Sequence, residues 1–396
     1  MMKEERYDVV IVGAGPAGSV TAKTAAERGL DVLLIERNPE IGVPVKCAEG
    51  VSKEIEQFVS VDKKCICAEV NGANIYGPDG TKVALSGEKM EEVGYVLERR
   101  LFDKALAIEA ANAGAEVRVK TEAYSVIKAD ADGYAKGVCV RGMGEDTRVY
   151  ANVVVAADGV ESKIGRWAGI DTRLRPSDIC VCAEFLMCDI ELETDYSEFF
   201  VGSEIAPHGY AWIFPKGGDR ANVGLGIGGD ASGESHRAIG YLKAFARDKF
   251  PDGETVAEMC GAVPLSGPIA ESVADGLILV GDAARHVNPL TGGGILYAIW
   301  AGQIAGDVIA KASQENNFSK DRLMEYDNRW RNAFEKRLMT GLKAKEFLSK
   351  LSDNDLNTLA HSLVGVNLAE FTTTALLMEL MKKNPKLLFG LAKILL

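Results

Sequence analysis

Two hydrophobic periods alternate along the chain, and its first thirty-six residues contain both. Tyr7-Asp8-Val9-Val10-Ile11-Val12 is a short apolar run rich in β-branched residues and predicts a buried strand. The pattern from about Ala17 to Arg28 is helical, and Gly29 closes it. Leu30-Asp31-Val32-Leu33-Leu34-Ile35 is a second apolar run, ending on Glu36. Residues 66–97 read as short strands with turn signals at Gly77-Pro78-Asp79-Gly80 and Ser86-Gly87. A helix is predicted from Glu98 to about Ala113, with Leu101, Ala105, Ile108 and Ala111 or Asn112 on its apolar face. Strands follow over 115–119, 126–140 and 147–157. Residues 175–230 change character: aromatics alternate and glycine-rich turns recur, as in an antiparallel sheet. His236 to Lys249 reads as a helix, Leu277-Ile278-Leu279-Val280 as a buried strand, and Gly292 to Lys311 as a helix. From Asp321 the pattern is almost wholly helical. Ser352-Asp353-Asn354-Asp355 has the form of a capping box, and Leu356, Leu359 and Leu363 share a face beyond it.

The first two apolar runs flank Gly13-Ala14-Gly15-Pro16-Ala17-Gly18. Strand, glycine-rich turn, helix, strand and acid in that order form the dinucleotide-binding unit. Gly13 permits the tight turn, Gly15 lets a pyrophosphate approach the backbone, and Gly18 lets the helix pack closely. The helix start offers free N–H groups to phosphate, and Glu36 stands where a carboxylate accepts ribose hydroxyls. Two later stretches add to this. Leu277 to Val280 runs into Gly281-Asp282, followed by Pro289, Gly292, Gly293, Gly294 and Ile295 at a helix start. Val155-Ala156-Ala157 runs into Asp158-Gly159. Glu98-Arg99-Arg100 puts two arginines at another helix start, within reach of a pyrophosphate. Together these point to FAD.

Composition narrows the rest. A formal charge of −12 argues against a nucleic-acid role. No stretch of about eighteen apolar residues is present, and Met1 to Arg6 is polar, so a cytoplasmic protein is expected. The eight cysteines contain no CxxC pattern, and the pairs Cys65/Cys67 and Cys180/Cys182 read as reduced thiols. His208, His236, His286 and His361 have no metal-ligand spacing, although His286 follows the Gly-Asp pair closely.

The order of these motifs resembles the flavoprotein group that includes p-hydroxybenzoate hydroxylase. Within it the chain is most similar to the geranylgeranyl reductase family, in its archaeal branch acting on digeranylgeranylglycerophospholipids. Tyr210-Ala211-Trp212-Ile213-Phe214-Pro215, then eight residues, then Gly224-Leu225-Gly226 resembles that family's substrate-domain signature. Pro44-Val45-Lys46-Cys47-Ala48 resembles its cysteine-bearing flavin loop. The resemblance covers residues 5 to about 350. It implies an α/β fold, α+β overall. A Rossmann-type FAD-binding domain (1–70, 98–172 and 274–312) is interleaved with an antiparallel β-sheet substrate domain (71–97 and 173–273). A C-terminal helical region covers 313–396. FAD is expected at Gly13, Gly15, Ala17, Gly18, Glu36, Arg99 or Arg100, Asp158, Asp282, Gly293, Gly294 and Ile295. Cys47, Ala48 and Gly50 are expected beside the flavin ring or ribityl chain, and Ala123 where a middle strand passes the adenine side.

The implied activity is reduction of isolated prenyl double bonds in a geranylgeranylated glycerophospholipid, with electrons from an external donor, NAD(P)H or ferredoxin-like. Cys47 is the candidate proton donor or relay. Tyr210, Trp212 and Phe214 share one strand face and are candidates to line an isoprenoid tunnel. An FAD-dependent aromatic monooxygenase and a non-enzymatic prenyl-lipid carrier stay open beside this reading. The apolar segment Thr374 to Met381, Lys382-Lys383 and the leucine-rich 386–396 suggest peripheral contact with the inner face of the cell membrane.

Overall fold

A computed structural model of the chain describes residues 2–86, 93–129, 133–233, 236–366, 380 and 382–384. β1 (Lys3–Val12), α1 (Pro16–Ala26) and β2 (Val32–Ile35) form the βαβ unit. β1 lies parallel between β2 and β11 (Glu145–Ala156), with Val9 opposite Val32 on one side and Val153 on the other. The sheet runs β17 (Val273–Ala274), β18 (Leu277–Leu279), β11, β1, β2, β8 (Glu116–Arg118). The antiparallel pair β9 (Thr121–Lys128) and β10 (Ala135–Gly142) joins it along the first half of β11.

Both faces of this sheet are covered, which is why its strands read as continuous apolar runs. Val9, Ile11, Val32 and Leu34 pack under Ala22, Ala25, Ala301, Ala305 and Leu323. Val10, Val12, Leu33 and Ile35 pack against Val138, Val140 and Ile164, the last from α3 (Lys163–Ala168). α5 (Ile295–Gln314) lies directly on α1: a Cβ at Gly302 would come within 2.7 Å of Ala17 O, and one at Gly306 within 2.5 Å of Thr24 Cβ.

The second sheet has seven strands. Their order is β16 (Glu254–Pro264), β12 (Ile179–Cys188), β15 (Ala221–Gly228), β14 (Tyr210–Pro215), β13 (Ser197–Phe200), β5 (Gly72–Tyr76), β6 (Lys82–Ser86). It is antiparallel except between β13 and β5. One face, carrying Phe185, Met187, Ile213, Val223, Leu225 and Ile227, packs on Leu242 and Phe245 of α4 (Ala238–Lys249). A small sheet of β3 (Gly50–Ser52), β7 (Gly94–Leu97) and β4 (Ile66–Val70) pairs with neither, and packs against Trp212 and Phe214 of the large sheet. The segment 71–97 is therefore divided between two sheets, because β7 pairs with β3 and β4.

The predicted face of α2 (Arg99–Asn112) needs correction. Leu101 and Ile108 are exposed, while Phe102, Leu106, Ala107 and Ala110 are buried. Apolar residues occupy two overlapping stripes of this helix, and Phe102 and Leu106 fill the space among Val20, Ile55, Leu97 and Ile299. β16 escaped the sequence reading, since its first half is an exposed sheet edge with a largely polar pattern. α6 (Lys320–Trp330) runs through a π-helical turn, Arg331–Glu335, into α7 (Lys336–Leu348). α8 (Asp353–Leu363) starts with the Ser352/Asp355 capping box, buries Leu359 and half-buries Leu356 and Leu363. Of the stretch 374–396, only Leu380 and Lys382 to Asn384 lie among the described residues, and Glu88, Glu91 and Glu92 lie outside them. No described helix is long and apolar enough to cross a membrane.

Candidate active site

The glycines of the first turn differ in what holds them. A Cβ at Gly13, where φ is +106°, would lie 2.2 Å from Ala157 O, and one at Gly18 would lie 1.9 Å from Gly13 O. A Cβ at Gly15 would meet nothing within 4 Å. Gly13 and Gly18 are demanded by packing, and Gly15 leaves open space at the start of α1. Gly15 has no side chain to cap that helix start, and among the described residues its first N–H groups stay available to an anion. At the end of β2, Glu36 accepts the Ala14 N–H at 3.2 Å, and at its other oxygen the Asn38 N–H at 2.9 Å. A cleft of about 170 Å³ runs past Ala14, Gly15, Glu36, Lys46, Arg99 and Asp103.

The other expected flavin residues surround this cleft unequally. Arg99 turns inward and makes a two-pronged bond to Asp103 at 2.7 and 2.8 Å. Arg100 is exposed and pairs with Glu98. Asp158 accepts the Ile164 N–H at 2.9 Å through Oδ2, while its Oδ1 is buried without a partner among the described residues. Burial raises the pKa of Asp158, and pushes that of Asp282 up to about 6 against the pull of Arg99. Gly294 precedes α5 without a side-chain cap, and a Cβ there would sit 3.4 Å from Asp282 Oδ1. The Gly293 N–H is bound to Thr291 Oγ1 at 3.2 Å, and Ile295 packs with Val20 and Phe102. Ala17 touches the turn at Gly281, where a Cβ would lie 3.0 Å away. Ala123, on β9, is buried with Val12, Ile35 and Val140, and the first residue of that strand, Thr121, donates its N–H to Glu36 O at 2.9 Å.

His286 turns its ring into an aromatic enclosure. Its ring is enclosed by Trp330 at 4.6 Å, Phe334 at 5.3 Å and Tyr326, and neither nitrogen has a partner among the described residues. Burial holds it neutral, with its pKa pushed down to about 3. Two uncapped helix starts, the open space at Gly15, the cation of Arg99 and the unpartnered acceptor of Asp158 are the donor and acceptor set a flavin dinucleotide requires. The residues present therefore fit FAD.

The second face of the seven-stranded sheet looks onto this region. Strand alternation puts Cys180, Cys182 and Glu184 on it from β12, and Tyr210, Trp212 and Phe214 from β14. Gly226 lies between Cys182 and Tyr210, and Gly224 between Glu184 and Trp212. Both glycines are required by their neighbours. A Cβ at Gly224 would lie 2.5 Å from the Trp212 indole, and one at Gly226 2.4 Å from Cys180 Sγ. The indole thus lies across β15 and donates its N–H to Glu184 Oε2 at 2.7 Å. The face meets the flavin loop along its length. Phe214 packs on Gly50, Asn222 donates to Ala48 O at 3.3 Å, and the Tyr210 hydroxyl donates to Thr291 O ahead of α5. Phe199 adds a fourth ring, edge-on to Tyr210 and Phe214. Cys47 is half-buried in the loop, and its Sγ accepts the Glu49 N–H at 3.2 Å. Burial raises its thiol pKa, against the pull of Arg99.

Sequence reasoning passed over the residue that locks loop to sheet. Glu49, between Ala48 and Gly50, is 3% exposed and adopts a left-handed conformation at φ +73°. It accepts the Arg99 N–H at 2.7 Å, the Asn222 amide at 2.7 Å and the Lys216 ammonium. Lys216 also donates to Leu97 O at 2.7 Å. Burial works hardest against the charge on Lys216, and Glu49, with Cys67 and Glu98, outweighs it, so its pKa is raised. Loop, small sheet, α2 and large sheet therefore converge on one buried ion pair. Glu184 and Lys216 were also missed. The available signals were an acid in phase with two cysteines of an apolar strand, and a lysine directly after Pro215.

Comparisons with known proteins agree with this geometry. A model of an FAD binding domain matches residues 6–207, and one of a geranylgeranyl reductase catalytic domain matches residues 178–263. The digeranylgeranylglycerophospholipid reductase of Methanothrix thermoacetophila is 50% identical over 98% of both chains. That of Methanosarcina mazei is 49% identical over 98% of this chain and 96% of its own. A crystal structure of a geranylgeranyl bacteriochlorophyll reductase-like protein from Thermoplasma acidophilum superimposes with a TM-score of 0.93 at 40% identity, covering 99% of this chain and all of that one. A flavin-dependent brominase shares the fold at a TM-score of 0.73 and 17% identity, covering 98% of this chain and 97% of that one. The chain belongs to the geranylgeranyl reductase family and carries that family's FAD-binding and catalytic domains.

Proposed function

We propose that the protein reduces the isolated double bonds of geranylgeranyl chains on an archaeal-type glycerophospholipid, using FAD. The observation that carries this reading is the aromatic and glycine-rich sheet face closed against the flavin loop. Its aromatic rings offer the apolar surface an isoprenoid requires, and Tyr210 reaches Thr291 ahead of the uncapped start of α5. Bound FAD would supply the hydride. The protein's part is positioning and dryness: Phe199, Tyr210, Trp212 and Phe214 hold the chain, and the Glu49–Lys216 pair fixes the loop against it. Glu36, Arg99, Asp158, Asp282 and the uncapped starts of α1 and α5 would hold the cofactor. Cys47 lies in the flavin loop, next to Ala48 of that face, and is a candidate proton relay.

Electrons come from an external donor, NAD(P)H or a ferredoxin-like protein, and stopped-flow flavin reduction with each separates the two. Contact with a membrane surface rests on the sequence of 374–396. Removing residues 384–396 should lower sedimentation with anionic liposomes at unchanged FAD content. Oxygen reactivity tests the function class. Purified FAD-loaded protein, chemically reduced without oxygen, should be reoxidised by a geranylgeranylated lipid. Reoxidation by oxygen alone, with hydroxylation of an aromatic substrate, would assign it to the monooxygenases. A purified protein that takes up no flavin would leave only the carrier.

A further inference from the structure

Reduction of an alkene needs a proton as well as a hydride, and no carbonyl polarises a prenyl double bond to ease the transfer. The source of that proton is the question the sheet face answers. Glu184 stands in the middle of β12, is 4% exposed, and is the carboxyl group of the row Met259, Glu184, Gly224, Trp212. Trp212 holds Oε2 at 2.7 Å, whereas Oε1 is buried and has no partner among the described residues. A buried carboxylate with one oxygen unpaired is unfavourable, but a carboxylic acid in the same place keeps an O–H to donate.

The face around that acid is made of two glycines, the Trp212 ring and the flavin loop. Gly224 and Gly226 place no side chain beside it on β15, and the Trp212 ring fills the space over Gly224. The flavin loop closes the same face at Ala48 and Gly50, and Lys46 backbone lies 3.8 Å from where a Gly261 Cβ would be. We propose that Glu184 is the acid that delivers the proton to the alkene. This rests on the reading above that the protein is a prenyl reductase.

The charged and titratable groups around Glu184 are few. Cys180 and Cys182 share its strand, and Cys47 and Glu49 face it from the loop, with Arg99 behind Cys47. Tyr210 and Lys216 come from the β14 side, and Lys46 is exposed. Burial is the main influence and pushes the Glu184 pKa up to about 8, while the Trp212 bond and Lys216 pull it down and Glu49 pushes it up. Glu184 is then an acid at neutral pH, the state a donor needs. In the step itself, one alkene carbon takes the hydride that the reductase activity supplies. The π pair takes the Glu184 proton, so the O–H bond breaks as the second C–H bond forms. The carboxylate keeps the Trp212 N–H and regains its proton from water between turnovers.

Glu184→Gln in the FAD-loaded protein is the first test, because an amide oxygen still accepts the indole N–H and the side chain carries no acidic proton. FAD content and flavin reduction by dithionite should not change. Single-turnover reoxidation by a geranylgeranylated glycerophospholipid should slow by roughly 10²- to 10⁴-fold. Infrared spectroscopy supplies a readout without turnover. Wild-type protein should show a protonated carboxyl band that E184Q lacks and that disappears with a midpoint of about 8. Trp212→Phe removes a bond that favours the carboxylate, so both this midpoint and the high-pH fall in rate should move upward. If E184Q loses FAD, the decision passes to W212F: an upward move supports the assignment, and an unmoved fall in rate overturns it. E184Q turning over at the wild-type rate, or a Glu184 ionised throughout, overturns the assignment alone. A flavin-loaded wild type that leaves the prenyl chain untouched overturns the reading on which it rests, and the assignment with it.

Discussion

The two faces of the seven-stranded sheet are made by the same strands and obey different rules. The α4 face, from Phe185 and Met187 across Val223, Leu225 and Ile227 to Ile213, is apolar throughout. The opposite face mixes cysteines, an acid, two glycines pressed by their neighbours, and four aromatic rings. Side chains chosen for packing alone produce the first pattern. The second leaves a buried carboxyl group with one oxygen unpaired among the described residues and is tied to the flavin loop by a buried ion pair. Departures from good packing confined to one face mark the face that has chemistry to do.

Substitutions on either side can break that comparison. The largest effect is expected at the ion pair. Lys216→Met leaves Glu49 buried without its cation and should cost about 3–5 kcal/mol in a urea titration. Adding Glu49→Gln should recover part of that loss, and additive losses would mean that the pair does not couple loop to sheet. Leu225→Ala, on the α4 face, should cost about 2–5 kcal/mol while the folded fraction keeps its turnover rate. Its neighbour Gly224→Ala should behave in the opposite sense. The new methyl displaces the Trp212 indole, costs about 1–3 kcal/mol, and lowers turnover far more than the stability loss explains. If both variants lose turnover only in proportion to unfolded protein, the two faces are not functionally distinct. Cys47→Ala should have the smallest effect, with FAD content and flavin reduction intact and alkene reduction slowed less than in E184Q. Unchanged turnover at saturating reductant would leave Cys47 a packing residue.

How legible each region was follows from how far apart its parts lie in sequence. The βαβ unit could be read because its glycines, helix and acid are contiguous, and their spacing already fixes the geometry. The aromatic triplet could be read because strand alternation alone puts Tyr210, Trp212 and Phe214 together. Glu184 and Trp212 are 28 residues apart, and Glu49 and Lys216 are 167 apart. Their pairing follows from strand order and from the path of the flavin loop, which no local pattern contains. The face of α2 was misread for a related reason. Its stripes at Leu101 and Phe102 are both apolar, and only the packing of Val20, Ile55 and Leu97 chooses between them.

The central claim is that a prenyl chain on the glycine and aromatic face is reduced at the flavin. Its most direct measurement is anaerobic mass spectrometry of a geranylgeranylated glycerophospholipid after mixing with FAD-loaded, chemically reduced protein. The account predicts that the lipid gains mass in steps of one hydrogen pair, in proportion to flavin oxidised. Lipid recovered unchanged beside a flavin that stays reduced would contradict it.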